Sequence, residues 1–292
     1  MDYLLLLTSA GLVGVNSIFC GYYNQKNHGL RGATTLFNVL FAVTALICWG
    51  IRYLTDLSFD PTVLPYSVGF GLAYCCGCTG CIHALKHGPV SVTSLLIQLS
   101  CVATVIWGAI FWNAPLNTGS VIGLVLVVIS MALCIQGKRE KPTEKVKISA
   151  KWIFFMALSF CGNGFCMIFQ RAQVIDFGGT YTGMMMFFGM VFAVLFVGLV
   201  YLKDDHRDSL KAIRNGGWLP VFTGLSNFTS NLINQYLAIV VMPPVVQYPV
   251  LTLVSLAVTS ILSRICFKEH LYWWQWVGMV IGAAASVLLS LT

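Results

Sequence analysis

Ten stretches of mostly apolar residues follow one another along the chain, near 3–22, 33–51, 63–85, 90–112, 118–137, 152–170, 181–202, 218–239, 245–266 and 271–290. Each is about as long as the roughly 20 residues that an α-helix needs to cross hydrocarbon. Charged residues make up only 9% of the sequence, against about 25% in soluble domains, and almost all of them fall between or at the ends of these stretches. There is too little polar surface to cover ten such segments in water, so the solvent is a bilayer. Hydrocarbon tolerates only a backbone whose polar groups are satisfied internally, and the segments lack the alternation of a membrane barrel. The expected fold class is therefore an all-α integral membrane protein of ten transmembrane helices.

The first stretch follows Met1-Asp2 directly, with no basic region before it and no small-residue cleavage site after it, and reads as a permanent span. All eleven cysteines lie in apolar spans, where Cys behaves as a small hydrophobe rather than as part of a secreted disulfide framework. The tryptophans fall near span ends, as expected of rings anchored at the headgroup level.

Charge sets the expected orientation. If the gaps between spans are numbered in order, fifteen of the seventeen Lys and Arg residues fall in the odd gaps, six of them between Lys138 and Lys151. The even gaps and termini carry only Arg52 and Arg171. Short basic loops stay in the cytoplasm, so the odd loops should lie inside and both termini outside, in a bacterial inner (plasma) membrane. A nucleic-acid partner is not expected, because no aromatic interleaving or soluble module accompanies the basic residues.

The chain also repeats itself. Leu85–Ile129 can be laid beside Val240–Ala285, with His87-Gly88-Pro89-Val90-Ser91-Val92 facing Pro243-Pro244-Val245-Val246-Gln247-Tyr248 and Gly123 facing Gly278. Upstream, Asn16-Ser17-Ile18-Phe19-Cys20 resembles Asn163-Gly164-Phe165-Cys166. Each copy holds five spans, an odd number, so the second enters the membrane from the opposite side. This predicts two inverted five-helix repeats, residues 1–137 and 152–292, joined by a basic cytoplasmic linker at 138–151. Inverted repeats are a hallmark of secondary transporters, which expose a midplane site alternately to either side.

His83-Ala84-Leu85-Lys86-His87-Gly88-Pro89-Val90-Ser91-Val92-Thr93-Ser94-Leu95-Leu96 resembles the connection between the third and fourth helices of the ten-helix, EamA-like branch of the drug/metabolite transporter superfamily. The second copy resembles that family's later pattern in Pro249, Phe267-Lys268-Glu269, Leu271, Gln275 and Gly278. The first copy departs from it, with Asn113 where the second has Glu269 and Thr93 where the second has Pro249. The resemblance implies a ten-helix fold of two inverted repeats, a central cavity built mainly from the first four helices of each, and transport of small metabolites, often as export.

Polar side chains inside spans mark the face turned to the bundle interior. Gly224, Asn227, Asn231 and Asn234 recur at steps of three and four and form one stripe on the eighth span. Ser91, Ser94 and Gln98 do the same on the fourth, and Tyr248, Thr252, Ser255 and Thr259 on the ninth. Asn16 and Asn163 hold matching places in the two copies, while Asn38 and His83 come from the second and third spans. The expected substrate-binding set is Asn16, Asn38, His83, Gln98, Asn163, Asn227, Asn231 and Tyr248. Ser and Thr commonly bond back to their own helix, so they weigh less. Pro89, Pro244 and Pro249 are expected gate or hinge positions, since a proline frees a backbone carbonyl and permits a bend.

No acidic residue lies at mid-span, and Lys and Arg are likewise expected only at span ends. The expected solute is thus a small neutral or zwitterionic polar metabolite such as an amino acid. It would move by facilitated diffusion, exchange or coupling through His83. A lipid-linked substrate flippase of the same fold is the alternative. An enzyme is not expected, because the only adjacent acids, Asp204-Asp205, sit in a Lys/Arg-rich loop. Cys75, Cys78 and Cys81 are spaced as in some iron–sulfur runs, but Gly69, Ala73 and Gly77 in the same segment form a small-residue ridge that Cys extends. No cofactor or metal is expected, and the partners are a small-molecule solute and membrane lipid, with a monomer or weak dimer as the working unit.

Overall fold

The computed structural model describes residues 2–87, 100–113, 117–136, 150–239, 242–267 and 273–291. The described residues are helical almost throughout. The long helices are α1 (Asp2–Lys26), α2 (Ala33–Leu54), α3 (Leu64–His87), α4 (Ser100–Phe111), α5 (Thr118–Gln136), α6 (Ala150–Phe177), α7 (Thr182–Lys203), α8 (Trp218–Ile239), α9 (Pro244–Phe267) and α10 (Trp273–Leu291). A short helix, Ser209–Gly216, precedes α8, and a single 3-10 turn, Pro61–Val63, leads into α3. Its entry is fixed by Asp60, whose carboxylate accepts from the backbone N–H and the hydroxyl of Thr62.

Among the described residues, five segments are long and apolar enough to cross a membrane: Asp2–Lys26, Ala33–Leu54, Ala150–Phe177, Thr182–Lys203 and Pro244–Leu262. Shorter apolar helices cover Ser100–Phe111, Thr118–Leu133 and Trp276–Ala285. Large apolar side chains stand exposed along the outward faces, among them Ile47 and Ile51 on α2, Leu195 and Leu199 on α7, and Val280 and Val287 on α10. Such faces suit acyl chains rather than water. The chain is a multi-pass integral membrane protein.

The most extensive helix packings recur when each helix is exchanged for the one five places away. α1 packs on α8 and α6 on α3; α1 on α9 and α6 on α4; α3 on α7 and α8 on α2. The pairs α2–α7, α4–α9 and α5–α10 map onto themselves. Polar crosslinks follow the same rule: Thr259 Oγ1 on α9 donates to the carbonyl of Gly14 on α1 at 3.3 Å, and Thr104 Oγ1 on α4 donates to that of Gly164 on α6 at 3.4 Å. In the aligned stretches of the sequence Thr104 faces Ser260, one position from Thr259.

The most extensive helix packing among the described residues is α3 on α6. A Cβ on Gly162 would collide with the backbone of Gly77, so only glycine allows this spacing. At that crossing the Ser159 hydroxyl donates to the Gly77 carbonyl at 3.0 Å. The small-residue ridge of the third span is thus a packing surface, and Cys75 lies in the core formed by α2, α3 and α7.

One end of the bundle is held by a polar clasp. Arg31 Nη1 reaches Asp205 Oδ2 at 2.9 Å, and the Thr35 hydroxyl donates to Asp204 Oδ2 at 2.9 Å. Between them Gly32 caps α2 with φ +72°, where a Cβ would stand 2.6 Å from the Asp205 carbonyl oxygen. The hydrogen bond from Arg31 holds the Asp205 carboxyl below its ordinary range. The opposite end of the α2–α7 pair is closed by aromatic rings instead, with Tyr53 stacked on Phe187 at 5.4 Å and Phe59 set edge-on to Phe188.

Candidate functional site

A cavity of about 260 Å³ lies between α1, α3, α6, α7, α8 and α9. The amide stripe of α8 turns into it through Asn227, Asn231 and Asn234, and it is met by Asn163 from α6 and Tyr248 from α9. Helical spacing brings these residues there: steps of three and four keep one face of α8 toward the interior, while Phe222 and Leu225 on its other face stay exposed.

The lining is hydrogen-bonded in chains. Gln170 Nε2 donates to Asn231 Oδ1 at 3.0 Å, and Asn231 Nδ2 donates to the carbonyl and side-chain oxygens of Asn227 at 2.9 and 3.0 Å. Gln247 Nε2 donates to the Asn234 carbonyl at 2.7 Å, so the start of α9 is tied to α8. The Tyr248 hydroxyl reaches the carbonyl of Met167 at 3.4 Å. By contrast, Thr252 and Ser255 donate to carbonyls four and three residues back in their own helix. They contribute a hydroxyl surface with its protons already used.

Several polar atoms around the cavity are buried without a partner among the described residues: Arg171 Nε, both amide atoms of Gln235, and Gln247 Oε1. Buried polar atoms are rarely left so, and each marks a place where a solute or water can bond.

Not all of the expected site residues meet in this cavity. Asn38 and His83 line a second one, of about 200 Å³, with Thr35, Thr79, Lys203 and Asp204 at the clasped end. The His83 ring is stacked on Phe155 at 4.7 Å. Tyr74 on α3 lines the first cavity and Cys78, one turn further, lines the second. Asn16 lines neither, and its buried Oδ1 has no partner among the described residues. Pro244 begins α9 and Pro249 lies within it. Gln98 and Pro89 lie outside the described residues.

The expectation that Arg is confined to span ends needs correction at Arg171. Helix α6 runs to Phe177 rather than ending near residue 170, so Arg171 lies inside it, buried at 7% exposure and lining the cavity. Gln170, Gln235 and Gln247 were also missed as lining residues. Gln247 had a sequence signal, since it opens the ninth span beside Tyr248.

An all-helical membrane fold with a polar interior cavity is the architecture that a membrane transporter needs. Residues 1–136 match the model of the EamA-like transporter family, and the chain carries an EamA-like domain of the drug/metabolite transporter superfamily over that stretch. A solved crystal structure superposes over 99% of this chain and 96% of its own with a TM-score of 0.67 at 15% identity, a likeness that speaks for the fold alone. No curated protein matches the sequence.

Proposed function

We propose that this protein is a secondary carrier that exports or exchanges small zwitterionic or neutral polar metabolites, such as amino acids, by alternating access. The observation that carries this reading is the cavity lined by Asn163, Asn227, Asn231, Asn234 and Tyr248, whose walls hold buried polar atoms with no partner among the described residues. Residues 1–137 and 152–292 act as the two inverted repeats, with the basic segment 138–151 between them in the cytoplasm and both termini outside. The recurrence of packing partners five helices apart supports that division. Asn38 and His83, in the second cavity, would then meet the solute on its way to or from the clasped end.

Purified protein in liposomes should take up a radiolabelled amino acid when preloaded with the same unlabelled compound. A panel of unlabelled competitors, run with and without an imposed pH gradient, would identify the solute and any proton coupling. Competition by lipid-linked compounds but by no water-soluble solute would replace this reading with that of a flippase.

A further inference from the structure

We infer that Arg171 receives the carboxylate of the solute, so that the cavity selects carboxylate-bearing compounds, zwitterionic amino acids first among them, over the corresponding amides and amines. The inference rests on the carrier function proposed above and narrows its substrate class.

A guanidinium stays charged in proteins, so it cannot escape burial by losing its proton. Arg171 is nonetheless only 7% exposed. Its one hydrogen bond among the described residues runs from Nη1 to the Ala238 carbonyl at 3.1 Å. That carbonyl belongs to the last turn of α8, where the helix dipole places partial negative charge and offsets part of the cation. No ion pair among the described residues engages Arg171: the three that form involve Arg31, Arg207 and Lys211 at the surface. Asp176, the acid on the same helix, takes the hydroxyl of Tyr66.

The arrangement of the free nitrogens fits one kind of partner. With Nη1 tied to Ala238, the side of the guanidinium formed by Nε and Nη2 remains, and Nε is buried with no acceptor. Two parallel N–H bonds on one edge match the two oxygens of a carboxylate. The same cavity offers acceptors without donors at Gln247 Oε1 and Gln235 Oε1, which suit an ammonium group. Anion fork and ammonium acceptors together describe the two ends of a zwitterion. The lining contains no Asp or Glu, so a cation lacking a carboxylate would meet Arg171 with nothing to offset it.

The test uses purified full-length protein and matched sets of probes: alanine, leucine and phenylalanine, each with its amide and its decarboxylated amine. Ligand-induced shifts in melting temperature and inhibition of liposome exchange are both read. The free acids should bind and exchange, and their amides and amines should need concentrations on the order of tenfold to a hundredfold higher, the range for losing hydrogen bonds to a charged group. Arg171→Gln should erase that difference by weakening the acids alone, and Arg171→Lys, which keeps the charge and loses the fork, should fall between. A purely structural role for Arg171 would weaken acids and amides equally. Amides that act as well as acids on the unmodified protein overturn the inference and leave the carrier standing, whatever the variants do. Folded protein that exchanges none of the probes and no other solute overturns the carrier reading itself.

Discussion

Gln170 on α6 and Asn231 on α8 are joined across the cavity by an amide-to-amide hydrogen bond of 3.0 Å. Asn231 passes the chain on to Asn227 one turn away, so three side chains hold two helices in register at the cavity wall. Replacing Asn231 by Leu would leave Gln170 with the Met186 sulfur, at 3.8 Å, as its other acceptor. Orphaning a buried amide costs about 1–3 kcal/mol. Asn231→Leu should therefore lower uptake at subsaturating solute by about tenfold or more while the protein still elutes as a single folded species. The polar stripe of the fourth span predicts a similar loss for Gln98→Leu. Unchanged rates in both variants would mean that the solute path lies elsewhere.

Pro249 interrupts the hydrogen-bond ladder of α9 one residue after the Tyr248 ring that lines the cavity. A proline there leaves the carbonyl four residues earlier without its N–H and keeps the helix bendable. In Pro249→Ala the solute-induced melting shift should persist while turnover falls severalfold. Equal turnover in the two proteins would remove α9 bending from the transport cycle.

The α3–α6 crossing leaves no room for side chains at Gly80 and Gly162. Gly162→Val should lower the melting temperature in detergent, by the equivalent of about 1–3 kcal/mol for overpacking. Ser159→Ala, which removes only the bond to the Gly77 carbonyl, should cost about 0.6 kcal/mol. A Gly162→Val protein as stable as the parent would contradict the close approach of these helices.

The clasp makes a pH prediction with a definite sign. Arg31 holds the Asp205 carboxyl below its ordinary range in the folded protein. A depressed acidic group lends its stability above the unfolded value, near 4, and loses it as pH falls through the folded value. The melting-temperature difference between the parent and Asp205→Asn should thus be constant from neutral pH down to about pH 5, then shrink in stronger acid. It should also shrink with added salt, because the pair is exposed. A difference that grows on acidification would assign the clasp to another group.

Orientation can be read with reporters fused to the C-terminus. If the basic loops lie in the cytoplasm, alkaline phosphatase at that terminus should be active and green fluorescent protein dark. The reverse pattern would invert the orientation drawn from the charges.

Much of this arrangement is visible in the sequence because it depends on local period. The steps of three and four that link Asn227, Asn231 and Asn234 are enough to turn all three to one side of a helix, and all three line the cavity. The glycine and cysteine ridge of α3 is legible for the same reason. What period cannot supply is which helices become neighbours. Asn38 and His83 looked equivalent to Asn163 on polarity alone, but α2 and the end of α3 meet α7 at the clasp, so these two line a separate cavity. Arg171 was hidden by a length argument. A span cut at roughly 20 residues ends before it, whereas α6 continues to Phe177 and carries the guanidinium inside.

The pairing of α5 with α10 has a consequence for how the molecule tolerates motion. These two helices line neither cavity, yet they lie together and are pinned where the Ser130 hydroxyl donates to the Gly278 carbonyl at 2.6 Å. They tie the two ends of the chain together away from both cavities, so the N- and C-terminal halves would stay moored to each other even if the polypeptide between them were severed.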